Sequence, residues 1–205
     1  GKKWRTGGKT WLSNYKREIL RLYVLILGNT GMRPGVETIE LKWKHVKDLK
    51  LAKNKTSKIP TQLFLDEKQP TSIVVFRVQG KTADHQAEGF RNVMARTNVE
   101  GWLDELKALT GKTEPDDYLF CTPDGVLLKD CPHMFTKLLS YSDLLEDASG
   151  QNRSLYSLRH MYATMAVRKG IPFQVLAQQM GTSVEMIERH YSHNKIEEWA
   201  LELAG

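Results

Sequence analysis

Between Ser157 and His193 the chain reads SLRHMYATMAVRKGIPFQVLAQQMGTSVEMIERHYSH, a run of amphipathic segments that glycine and proline cut to short lengths. Ser157 is the expected N-cap of a helix over 158–169 that Gly170 ends. Pro172 opens a second helix over 173–180, and Ser183 caps a third that runs through Tyr191. This punctuation puts an Arg159-His160 pair at the start of one helix and a tyrosine at the end of another. Arg159 can hold a phosphate through two parallel N–H···O bonds, and the phenolic oxygen of Tyr191 can attack that phosphate if the fold brings the two together.

The rest of the chain supplies a frame for that stretch. With 205 residues, 40% of them hydrophobic, it can bury a real core, and one compact unit is expected. Thirty Lys and Arg against 24 Asp and Glu leave a formal charge of +6, which suits a polyanionic partner. The only cysteines, Cys121 and Cys131, match no zinc spacing and are read as reduced thiols of the cytosol. Neither a long apolar run nor a signal-peptide pattern is present, so no membrane association is expected.

In chain order, Ile19, Leu20, Tyr23, Val24, Ile26 and Leu27 recur at helical spacing and predict a helix over 13–27, stopped by Gly28 to Gly31. Arg33 follows, and Pro34 is placed to open a short helix carrying Glu37, Ile39 and Leu41, so Arg33 is expected at a helix start, where free N–H groups favour an anion. Short β-prone runs over 46–51, 62–65 and 72–78, with a further segment over 90–96 pairing back, predict a small antiparallel sheet with Lys81 at a hairpin tip. Helical spacing returns over 99–109 and 130–145, separated by the buried run Tyr118-Leu119-Phe120, and residues 147–153 form a polar loop. The fold class is therefore α+β, mainly α-helical.

Three segments now stand in order: Thr30-Gly-Met-Arg33 with Glu37 beyond it, Lys81 on a hairpin, and Arg159-His160 followed by Met180-Gly181 and then Tyr191. As a set they resemble the catalytic domain of a tyrosine recombinase of the phage integrase type, over about residues 13–193. The resemblance implies that Arg33 and Arg159 clamp a scissile phosphate, that Lys81 protonates the leaving 5′ oxygen, and that Tyr191 is the nucleophile. Glu37 matches the acidic residue that supports the first arginine, one residue later than the family commonly has it. Where the family usually has His-x-x-Arg, this chain has Tyr156-Ser-Leu-Arg159, and where it has Leu-Gly-His it has Met180-Gly181-Thr182. Tyr156 and Thr182 can each hydrogen-bond a phosphate oxygen, but neither replaces an imidazole as a proton carrier near neutral pH, which leaves His160 to share that work.

The residue types suit the chemistry independently of the family. A phosphodiester under attack gathers negative charge on its non-bridging oxygens, and removing one donor that meets such charge typically costs about 3–4 kcal/mol. Two guanidiniums doing this make a metal unnecessary, and neither a metal nor another cofactor is expected. A phosphotyrosine conserves the bond energy, so a 5′-hydroxyl can reverse the step without ATP. Singly, each residue has an ordinary reading: an arginine paired with a carboxylate, a turn lysine, a half-buried helix tyrosine. His190 and His193 lie three apart on a helix but lack an acidic or cysteine partner.

The resemblance implies a site-specific recombinase acting on double-stranded DNA, assembling there as a tetramer, in the nucleoid of a bacterial host and carried by a phage or mobile element. Two alternatives stay open: a DNA-binding module of this fold with lost or weak catalysis, and a type IB topoisomerase-like enzyme. Residues 1–12 read as an edge or linker, without the family's usual N-terminal DNA-clamping domain. Over 194–205, Ile196, Trp199, Ala200 and Leu203 make one apolar stripe, which predicts a tail helix that docks at home or on a neighbour.

Overall fold

The computed structural model describes residues 10–50, 72–79, 89–96 and 98–191. Lys81, the 62–65 run, His193 and the 194–205 tail lie outside the described residues. Among those described are seven α-helices and a three-stranded antiparallel sheet, which is the expected mainly helical α+β class.

Helix α1, Trp11–Thr30, is the spine. The Thr10 hydroxyl caps it by accepting from Ser13 N–H at 3.1 Å, and one face buries Ile19, Leu20, Tyr23, Ile26 and Leu27. The helix runs beyond Leu27 into the expected stop over 28–31. Asn29 and Thr30 turn their side chains back onto the carbonyls of Leu25 and Ile26, both at 2.8 Å, so neither breaks the helix. Gly31 ends it instead, with φ +69° and its N–H on Leu27 O at 3.0 Å.

Helix α2, Val36–Ile39, is a single turn that starts later than Pro34, with Gly35 as its N-cap. A 3₁₀ turn over Trp43–His45 leads into β1, Val46–Lys50, which pairs with β2, Ser72–Val78; β2 pairs in turn with β3, Arg91–Met94. The sheet order is β1-β2-β3, and Val74, Phe76, Val78 and Val93 turn one face inward. Helix α3, Val99–Thr110, covers the expected 99–109 and ends at left-handed Gly111. Leu119 and Phe120 enter the core, and the Phe120 ring meets Tyr23 edge-on at 4.9 Å. Helix α4, Cys131–Tyr141, is shorter than the expected 130–145; the chain leaves it at Ser142, and Asp143 takes a positive φ of 54°. Cys121 and Cys131 are both buried free thiols.

Helix α5, Leu155–Arg168, begins a turn earlier than expected, because Ser154 and not Ser157 is its N-cap. The two serines form a reciprocal box: Ser154 Oγ accepts from Tyr156 N–H at 3.2 Å, and Ser157 Oγ accepts from Ser154 N–H at 3.0 Å. Helices α6, Phe173–Met180, and α7, Val184–Tyr191, follow the expected boundaries, with Ser183 Oγ accepting from Met186 N–H at 3.2 Å. A large core surrounds α1, the sheet, α3 and α4. A smaller one joins α5, α6 and α7 through Ala163, Ala166, Val167, Leu176, Ala177, Met180 and Ile187. Among the described residues no helix is long and apolar enough to cross a membrane.

Candidate active site

The site lies where these two cores meet. Beyond Gly31 the chain buries Met32 and then presents Arg33. Glu37, in the first turn of α2, reaches back over four residues to take both Arg33 N–H and Arg33 Nη1–H, each at 3.1 Å. Arg33 therefore does not crown a helix start, as the position of Pro34 suggested; it is gripped from behind by a carboxylate. The Arg33 side chain keeps 27% of its surface exposed while that of Glu37 keeps 5%, so the cation faces outward and its partner is sealed beneath it.

Three arginines, from the α1–α2 connection, β3 and α5, converge on the end of α6. Arg33 donates through Nη2 to Gly181 O, Arg159 of α5 through Nη2 to Met180 O at 2.7 Å, and Arg91 of β3 through Nη1 to Gln179 O. These three successive carbonyls close the helix, lack intrahelical donors, and carry the negative end of its dipole, so cations are favoured there. Arg159 also donates through Nη1 to Gly31 O at 2.6 Å, which ties α5 to the end of α1. Burial, and then the charge of Arg33, lowers the pKa of Arg159, yet an arginine remains protonated. Arg91, also buried, sends Nη2 to Glu37 Oε1, so one carboxylate lies between two guanidiniums. The Gln179 side chain completes the seam, donating to Thr30 O at 3.0 Å and Met94 O at 2.7 Å and accepting from Met94 N–H at 3.0 Å.

The tyrosine end of the site is built on α5 and α7. Tyr191 Oη and His160 Nδ1 are 2.6 Å apart, a short hydrogen bond between the last residue of α7 and the neighbour of Arg159. Tyr156, one turn before His160 on α5, meets the imidazole edge-on with ring centroids 5.1 Å apart. Burial, then the charges of His190 and Arg159, lowers the His160 pKa, so the ring is neutral near pH 7. Burial, and then Tyr156, raises the Tyr191 pKa, while Arg159 pulls it the other way. Thr182 follows Gly181 on the same turn, its N–H on Ala177 O at 3.0 Å.

Of the residues singled out in the sequence, Arg33, Glu37, Arg159, His160, Tyr156, Thr182 and Tyr191 thus gather around one seam, while Lys81 lies outside the described residues. Arg91 and Gln179 belong to the same seam, and no motif of the sequence includes them. A signal for Arg91 was available: in β3 it shares the inward phase with Val93, and a charge at a buried strand position needs a carboxylate. Gln179 offered none, since its partners come from α1 and β3.

By sequence, the chain matches no protein-family model and no curated protein. By structure, it is similar to XerH site-specific recombinase bound to difH substrate, with a TM-score of 0.63 and 21% identity over 96% of this chain and 48% of that one. It is also similar to the Tn1549 transposon integrase in complex with transposon right end DNA, at TM-score 0.56 and 16% identity over 96% of this chain and 60% of that one. A lambda integrase dimer bound to a COC′ core site gives TM-score 0.53 and 15% identity over 92% and 56%. The chain spans about half the length of the XerH chain it matches. With its helices and small antiparallel sheet, this chain has the fold of the tyrosine recombinase catalytic domain.

Proposed function

We propose that the chain is the catalytic part of a site-specific DNA recombinase that cleaves and rejoins double-stranded DNA through Tyr191. The observation that carries this is the 2.6 Å hydrogen bond between Tyr191 and His160, on the helix that also delivers Arg159. Tyr191 Oη attacks the phosphorus, its proton passes to Nδ1 of neutral His160, and the P–O5′ bond breaks to leave a 3′-phosphotyrosine. Arg33 and Arg159 meet the charge that develops on the non-bridging oxygens. Thr182 donates to one of those oxygens and Tyr156 to another. Lys81 supplies the proton to the departing 5′ oxygen, as in the family the sequence resembles. Attack by the 5′-hydroxyl of a second strand reverses each of these transfers and releases Tyr191.

The likeness to XerH and Tn1549 integrase, both solved with DNA, supports duplex DNA as the substrate, and the net charge of +6 suits it. Exchange between two duplexes calls for four such subunits, assembled on DNA in a bacterial cytoplasm. A pool of nicked duplexes with randomised sequence around the nick traps a covalent intermediate, because the short strand beyond the nick diffuses away. A denaturing gel should show a shifted protein–DNA band that Tyr191→Phe abolishes while retaining binding. Binding without a covalent band in the wild-type chain would instead identify a DNA-binding module of this fold. A band with no enriched sequence, together with relaxation of supercoils, would identify a topoisomerase-like enzyme.

A further inference from the structure

Arg91 has no part in the chemistry just described, yet it is 3% exposed and touches both things that hold Arg33. One of them is Glu37, whose Oε1 receives Arg91 Nη2 and Arg33 N–H while its Oε2 receives Arg33 Nη1. The other is the end of α6, where Arg91 takes Gln179 O two residues before the carbonyl that Arg33 takes at Gly181. Arg33 is the exposed member of this chain of contacts and Arg91 the buried one. A guanidinium fits the place because its planar fork reaches a carboxylate and a carbonyl at once, which an ammonium on a flexible stem does not.

We propose that Arg91 is a positioning residue, holding Glu37 and the end of α6 in the arrangement that aims the Arg33 guanidinium at an incoming phosphate. This rests on the phosphate-binding reading of Arg33 and Arg159 given above. It extends that reading to a third arginine that never meets the substrate. β3 would then do more than complete the sheet: it would carry the anchor of a residue that sits at the far end of α1.

The test uses the 205-residue chain with isotopically labelled arginine, guanidinium NMR spectra, and inorganic phosphate as the probe. In the wild-type chain, Arg33 should show separate, slowly exchanging Nη signals because both ends of its fork are held, and phosphate should shift Arg33 and Arg159. Arg91→Lys keeps the charge and loses the fork; it should average the Arg33 Nη signals and weaken phosphate binding on the order of tenfold, as for a lost hydrogen bond to a charged group. Arg91→Gln should do the same, and its effect on Arg33 should vanish in a Glu37→Gln background if it acts through that carboxylate. Arg33 signals and phosphate affinity equal to wild type in a folded Arg91→Lys chain would overturn the proposal. So would loss of the fold in all three variants, which would make Arg91 a folding residue. If phosphate shifts neither Arg33 nor Arg159 in the wild-type chain, the phosphate-binding reading fails by itself, and the Arg33 Nη signals still decide the role of Arg91.

Discussion

The two cores of this chain are held together in different ways. Around α1 the buried surface is large and apolar, with Tyr23, Ile26, Leu106, Phe76 and Phe120 packed from α1, α3, β2 and the segment before α4. Among the described residues, the core of α5, α6 and α7 has seven buried side chains, three of them alanine, a smaller apolar burial. Leu155 and Leu158 of α5 pack into the larger core, and the rest of the junction is polar: Arg159 on Gly31 O, Arg33 on Gly181 O, Arg91 on Gln179 O and the Gln179 amide on Thr30 and Met94. A site that must gather cations benefits from this division. The apolar core supplies the stability, and the seam spends its contacts on aiming guanidiniums.

Truncating one large side chain in each core separates the two units. Phe120→Ala should lower the stability of the chain by about 3–5 kcal/mol, whereas Leu176→Ala in the small core should lie at the bottom of the range for such truncations, about 2 kcal/mol. Urea unfolding measures the first. Hydrogen exchange should show the second confined to α6 and its neighbours. Equal and global losses in both variants would mean that the two cores are one.

At the seam, Gly31→Ala should cost about 2 kcal/mol or more, because the residue has φ +69° and an added Cβ would lie 2.4 Å from the Tyr162 ring. Tyr162→Ala in the same chain should recover only part of the loss, since the backbone conformation remains. Full recovery would show that ring contact alone demands glycine there.

The tyrosine end is sharpened by pH. His160 works as a proton acceptor only when neutral, and its pKa is lowered from the ordinary 6.5, so covalent attachment should hold steady as pH falls to that value. Below the lowered pKa it should decline about tenfold per pH unit as the imidazole takes up a proton. Adduct formation followed from about pH 8 to pH 5 should lose this acid limb in His160→Gln. An acid limb that persists there would move the proton acceptor elsewhere.

The smallest effect separates two serines. Ser154→Ala should destabilise the chain by about 1 kcal/mol as the loss of an N-cap, and Ser157→Ala by a few tenths. Thermal melts with the order reversed would restore Ser157 as the cap of α5.

Much of the framework could be read without coordinates. The apolar face of α1, the strand over Ser72–Val78 and the Pro172 and Ser183 starts all follow from signals within a few residues of one another, and local backbone preferences settle such features. Where two local signals competed, the nearer hydrogen bond decided: Asn29 and Thr30 carried α1 past Gly28, and Ser154 displaced Ser157. The residue types at the site, Arg33, Glu37, Arg159, His160 and Tyr191, were equally legible, because their chemistry is written in their identity.

Their geometry was not. That Tyr191 meets His160, that Glu37 serves Arg91 as well as Arg33, and that three arginines share three successive carbonyls at the end of α6 are contacts between groups 20 to 150 positions apart. No periodicity records them. Sequence alone determined which charges this chain must accommodate and which helices carry them; the packing of α5 and α6 against α1 and β3 decided which buried carbonyls and carboxylate would neutralise each one. The physical reason is that a buried charge needs a partner, and which partner lies within hydrogen-bond reach is settled only when distant elements pack.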